Sequence, residues 1–178
     1  MKQRLIFLAL ILVIVLSVGA CTSNAKQEFT SETGKFSVTV PTEPKEETES
    51  VDTALGKIDI HMFTTEDGNT AYMIGYSDYP EDIIKQSDPQ KLLDGGRDGA
   101  VGNVNGKLDS ELKIDLEGNP GRELVISAKA GNDQDATIKA HIYLVGNRLY
   151  QVMMVAPKGE VSSSEMDEFL KSFKLLKK

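Results

Sequence analysis

The chain has 178 residues, with 20 Lys and Arg against 27 Asp and Glu, two His, one Cys and no Trp. A net charge of −7, with no basic cluster to offset it, argues against nucleic acid as a partner. The length suits one domain with a sizeable core, and a single cysteine cannot close an internal disulfide.

The N-terminus carries Lys2 and Arg4, then an unbroken apolar run from Leu5 to Leu16. A spanning helix wants about 20 apolar residues. This run is shorter and passes through Ser17, Val18, Gly19 and Ala20 into Cys21, as a secretory signal does. With cysteine at the cleavage point, the segment resembles a bacterial lipoprotein signal, and Val18-Gly19-Ala20-Cys21 matches its lipobox. The resemblance implies that residues 1–20 are removed and that lipid is attached to Cys21, which becomes the first mature residue. Lys2 and Arg4 leave with the signal, so 18 basic residues face 27 acidic ones and the charge becomes −9. Lipid on Cys21 makes the membrane a partner, stably so with two or more acyl chains. The body then lies outside the cytoplasm, on the cell membrane or an outer membrane. An uncleaved anchor helix would place it on the same side.

Residues 21–28 form a short polar tether, and a single domain is expected over 29–178. Phe36 to Val40 alternates as a half-buried strand ended by Pro41. The acidic, proline-bearing stretch from Pro41 to Ser50 reads as an exposed loop. It includes Glu43 to Glu49, a candidate docking segment. A hairpin is expected from Val51–Leu55 and Ile58–Thr64 about Gly56-Lys57, then a strand from Thr70 to Tyr76. Asp88 and Pro89 open a helix with Leu92, Leu93, Ala100 and Val101 inward. Its glycines, Gly95, Gly96 and Gly99, suggest close approach to the sheet.

Leu108, Leu112, Ile114 and Leu116 alternate with charged residues, as on a strand with one solvated face. Gly118-Asn119-Pro120-Gly121 reads as a turn, and strands follow over Arg122–Ala130, Ala136–Val145 and Arg148–Val155, the last pair joined at Gly146-Asn147. A terminal helix opens on a Ser162/Glu165 capping box and aligns Met166, Phe169, Leu170 and Phe173. The expected fold is α+β: an antiparallel sheet of about seven or eight strands with two helices packed on it.

Four segments resemble a group of bacterial exported proteins without an assigned activity. They are Thr33-Gly34-Lys35-Phe36-Ser37-Val38-Thr39-Val40-Pro41, Gly118-Asn119-Pro120-Gly121-Arg122-Glu123, Val145-Gly146-Asn147-Arg148-Leu149-Tyr150 and Phe169-Leu170-Lys171-Ser172-Phe173. The order of elements is similar to the PsbP-like fold, that of the extrinsic subunit on the lumenal face of photosystem II. The resemblance implies a fold whose members are mostly binding and assembly factors, and it carries no catalytic residues or cofactor.

Candidate chemistry is sparse. Asp59 and His61 fall on one strand face and could begin a metal site if His141 met them. Asn132-Asp133-Gln134-Asp135 offers oxygen ligands for calcium but lacks the glycine and distal glutamate of an EF-hand loop. Tyr72, Ile74 and Tyr76 share a face and read as core, while Met153 and Met154 read as packing on opposite faces. No nucleophile-elbow or phosphate-loop motif is present. The expected function is a non-enzymatic, lipid-anchored binding or assembly-accessory protein of a bacterial envelope or membrane complex. A small-molecule or metal-binding lipoprotein is the alternative.

Overall fold

A computed structural model describes residues 26–53, 56–131 and 133–177. The lipobox and Cys21 lie outside the described residues.

The chain begins with β1 (Gln27–Ser31) and β2 (Phe36–Val40), which pair antiparallel. The meander β3 (Lys45–Thr53), β4 (Gly56–Asp67) and β5 (Thr70–Asp78) follows. Two helices, α1 (Glu81–Gln86) and α2 (Pro89–Asn103), then carry the chain to the far edge of the sheet. It returns through β6 (Lys107–Leu116), β7 (Asn119–Ala130), β8 (Gln134–Val145) and β9 (Arg148–Pro157), and β9 pairs with β5. Helix α3 (Ser163–Ser172) and the short β10 (Lys174–Leu175) close the fold. The seven-stranded sheet is ordered β3-β4-β5-β9-β8-β7-β6, and β1-β2-β10 forms a second sheet.

Each face of the large sheet has its own core. Phe63, Tyr72, Ile74, Tyr76, Tyr143, Tyr150, Val152 and Met154 face the small sheet and α3. Leu124, Ile126, Ile138, Ala140, Ile142, Leu149 and Met153 face α2. The tyrosine stripe is thus core, and Met153 and Met154 pack on opposite faces as expected.

Several expectations need correction. The strand Phe36–Val40 belongs to the small sheet, where Phe36, Val38 and Val40 are fully buried. Gln27 and Glu28 pair with Val40 and Thr39, so the fold starts inside the expected tether. The segment expected as a loop up to Ser50 is a strand from Lys45. Its residues Lys45 to Ser50 are exposed because β3 is an edge, and charge on an edge strand discourages further pairing. Thr53 pairs with Gly56, so the reversal precedes Gly56-Lys57. Among the described residues there are three helices and two sheets where two helices on one sheet were expected; the extra helix, α1, is six residues long and buries none of them.

The hairpin between β6 and β7 turns at Glu117-Gly118, both at positive φ, as a two-residue primed turn requires. Gly121 lies inside β7, where a Cβ would stand 2.5 Å from the Tyr143 ring. On β6 a register shift between Leu108 and Ser110 turns Leu108 to the α2 face, away from Ile114 and Leu116. Leu112 is 59% exposed. The single apolar face expected for this strand is therefore split by a bulge.

Both expected helix starts are present. The Asp88 side chain accepts from Gln90 N–H at 2.8 Å, with Pro89 as the first helical residue. Of the helix glycines only Gly96 meets the sheet: its Cβ would lie 3.2 Å from Leu149 and 3.3 Å from Ile142, while Gly95 and Gly99 face open space. In α3 the Ser162 hydroxyl accepts from Glu165 N–H at 3.3 Å, and the Glu165 carboxylate accepts from Ser162 N–H at 3.0 Å. Ser162→Ala is expected to cost about 1 kcal/mol. A denaturant titration reads this as a lower midpoint at unchanged slope.

Candidate functional site

The three residues expected as a metal site do not converge. Asp59 accepts a hydrogen bond from the Ser50 hydroxyl across the β3–β4 pair. The His61 ring stacks on Tyr76, centroids 4.4 Å apart, with Nδ1 3.0 Å from the Thr48 hydroxyl. His141 shares that face but sits on β8, three strands away, roughly 14 Å at ordinary strand spacing. Among the described residues no group of three His, Cys, Asp or Glu is placed to hold a metal ion. In the acidic turn, Asp135 is bound to Lys129 at 2.8 Å, and Asn132 lies outside the described residues.

His141 belongs to a different cluster. Its Nε2 lies 2.9 Å from Glu123 Oε2, and its Nδ1 lies 2.9 Å from the Tyr143 hydroxyl. A neutral imidazole protonated at Nε2 satisfies both, donating to Glu123 and accepting from Tyr143. Lys139, on the same strand and also buried, contacts Glu123 at 3.4 Å and hydrogen-bonds Asp167 of α3. Burial pulls the Lys139 ammonium down, but Asp167 and Glu123 outweigh it and hold the pKa above the ordinary value. The Lys139 hydrogen bond lowers the Asp167 pKa. Burial, then the Glu123 and Asp115 carboxylates, push the Tyr143 phenol up to about 12. The cluster fastens α3 to β8 and leaves its acids and bases occupied by one another.

For His141, burial is the largest influence and outweighs Glu123, so its pKa lies below 6.5. The unfolded chain therefore takes up this proton at higher pH than the folded one. The stabilisation is complete above about pH 6.5 and is lost as the pH falls from there through the lower folded value. Urea titrations across pH 4.5–8 are expected to show that decline, and His141→Gln to flatten it. An unchanged decline in the variant would place its source elsewhere. Asp167, lowered from 3.8, adds stability that disappears only at more acid pH.

At the β5–β9 end, Arg148 grips Asp78 with two hydrogen bonds of 2.7 Å, lies 4.2 Å over the Tyr76 ring and donates to the Thr33 carbonyl at 2.9 Å. The bond to Asp78 raises the Arg148 pKa. This ties the β1–β2 turn to the large sheet.

The concavity large enough for a ligand is on the opposite face. Helix α2 packs on β7 and β8 and reaches Leu149 of β9, and a concavity runs beside it along β3, β4, β5 and the rest of β9. There a groove of about 550 Å³ is floored by the sheet and walled by Ala100, Asn103 and Val104 near the end of α2. Strand register lays out the floor in three rows. Glu49, Ile60, Ser77 and Leu149 form one; Met62, Gly75 and Gln151 the next; Met73 and Met153 the third. Glu49 is the one charged residue lining the groove. Sequence reasoning missed this site. Its signal was present: β4 and β5 carry apolar residues on both faces, whereas a 15-residue helix spans only about 22 Å.

Neither a protein-family model nor a curated protein sequence matches the chain. Solved structures do. The cyanobacterial PsbP (CyanoP) from Synechocystis is similar with a TM-score of 0.59 at 13% identity, over 90% of this chain and 98% of that one. A protein from Bacteroides thetaiotaomicron gives 0.51 at 17% identity over 87% of this chain, which spans about half of its length. At such identities the likeness shows the fold alone, and that fold is PsbP-like. Among the described residues no helix is long and apolar enough to cross a membrane.

Proposed function

We propose that the chain is a lipid-anchored, extracytoplasmic protein that binds or helps assemble a bacterial envelope or membrane complex, without catalysing a reaction. The observation that carries this reading is the position of Cys21, six residues before β1 begins at Gln27. Six residues extend to roughly 22 Å at most. A lipid on Cys21 would therefore keep the folded body against the membrane surface, where its partners must be found. The titratable groups support a binding role. His141, Tyr143, Lys139 and Asp167 are joined to one another through Glu123 and their own hydrogen bonds inside the fold. A protein partner has an edge to meet at β6, where Leu112 is exposed between Glu111 and Lys113.

Two measurements test the reading. Cys21→Ala is expected to abolish incorporation of labelled palmitate and to release the protein from the membrane fraction; continued labelling would refute the anchor. A photo-crosslinker at Leu112 in intact cells is expected to capture an envelope protein reproducibly. Recovery of uncrosslinked protein alone, from correctly anchored chain, would count against assembly.

A further inference from the structure

Gly75 occupies the middle of a central strand, where a glycine weakens the sheet and needs a reason. Neither usual reason applies. Its φ is not positive. A Cβ built there would come no nearer than 3.6 Å to any atom, the His61 carbonyl oxygen, which is ordinary contact. Gly96 is the contrast, with atoms of Leu149 and Ile142 at 3.2 and 3.3 Å from its would-be Cβ. What the missing side chain at Gly75 does is lower the groove floor. Met62 and Gln151 flank it across the strands, and Met73 and Ser77 flank it along β5, so the glycine is a notch ringed by four side chains.

The composition of that ring suits a small ligand. A volume of about 550 Å³ falls in the range of single-molecule sites, which are mostly apolar with a few convergent polar groups. Three methionines, Met62, Met73 and Met153, give an apolar surface that adapts its shape. Gln151 and Ser77 make no side-chain hydrogen bond among the described residues and so offer polar atoms to a guest. Glu49 stands at the open β3 edge, with no ion pair among the described residues and no basic residue in the lining. An anionic head there would meet an unopposed carboxylate; a cationic head would be neutralised by it.

We propose that this groove binds a small cationic amphipath, its apolar body seated in the Gly75 notch against the methionines and its positive head at Glu49. The proposal goes beyond the partner-binding reading and does not depend on the anchor or on any protein partner.

The chain from Thr22 onward retains every described strand and helix and is the form to titrate. The neutral fluorophore N-phenyl-1-naphthylamine serves as reporter, displaced by dodecyltrimethylammonium or by dodecanoate, both below their micellar concentrations. Saturable reporter binding is expected, with the ammonium displacing it at least tenfold more tightly than the carboxylate. Glu49→Gln is expected to erase that preference while the reporter still binds. Gly75→Val fills the notch from the floor and Val104→Trp fills the groove from the helix wall; each is expected to weaken reporter binding more than tenfold at unchanged circular dichroism. Reporter binding that is absent, or unaltered in either folded variant, overturns the site. Equal displacement by the two amphipaths overturns the cationic head, and saturable binding confined to a basic amphipathic peptide overturns the small-molecule occupant.

Discussion

Phe36→Ala is expected to destabilise the protein by about 3–5 kcal/mol, the range for deleting a buried aromatic ring. The side chain is fully buried, and four rings surround it. Phe63 and Phe173 have centroids 5.4 Å away, Phe29 lies at 6.1 Å and Tyr150 at 6.3 Å. These rings come from β1, β4, β9 and the end of α3, so Phe36 is where the small sheet, the large sheet and the terminal helix meet. The site cannot collapse easily onto the cavity. Gly34 already sits so close that a Cβ there would overlap the Phe36 ring at 2.5 Å, and its carbonyl is held by the Tyr150 hydroxyl at 2.7 Å. Guanidinium unfolding gives the loss directly. Hydrogen exchange gives its location, with amides of β1, β2 and β10 expected to lose more protection than those of β7 and β8. A loss below about 1 kcal/mol would mean that the small sheet is not held through this ring.

How far this arrangement was legible depends on which physical effect decides each part. Local chemistry was legible, because a cap or a primed turn is settled by neighbours in sequence: Asp88-Pro89, the Ser162/Glu165 box and Gly146-Asn147 all stand where they were expected. Alternation identified Tyr72, Ile74 and Tyr76 as core for the same reason. It failed where pairing, not propensity, decides. Lys45 to Ser50 has the composition of a loop and becomes a strand because β4 offers it a partner. The bulge at β6 reverses the face of Leu108 with no mark in the residues themselves. Asp59, His61 and His141 share a face, yet strand order separates them, and strand order is invisible in a single sequence. The groove was missed for a related reason. The methionines and Gly75 read as ordinary strand interior until the path of α2 shows which part of the face is uncovered.

That path rests on the cluster beneath the first half of α2, and Glu111→Leu tests it. Arg122 points from β7 into the interface and is nearly fully buried. Its Nε lies 2.8 Å from Glu111 Oε1 on β6, and one terminal nitrogen lies 2.6 Å from the Gln90 side chain and 3.5 Å from Asp94. The second Glu111 oxygen holds Arg97 at 3.1 Å, so one carboxylate binds the helix and the neighbouring strand together. Its removal leaves a buried guanidinium with only the longer contact to Asp94 as a counter-charge. The expected cost is about 3–5 kcal/mol, most of it the uncompensated charge and not the worth of the pair. Adding Arg122→Met removes that charge and keeps apolar volume under the helix, so the double variant is expected to recover most of the loss. Each single variant and the double, unfolded in urea, complete the cycle and give the coupling directly. A double variant as unstable as Glu111→Leu alone would show that Arg122 acts through packing. Gln90, Asp94 and Arg97 precede Ala100, Asn103 and Val104 on the same helix, so the ion pairs at one end set where the groove wall stands at the other. Glu111→Leu should therefore loosen binding in the groove without touching a residue that lines it.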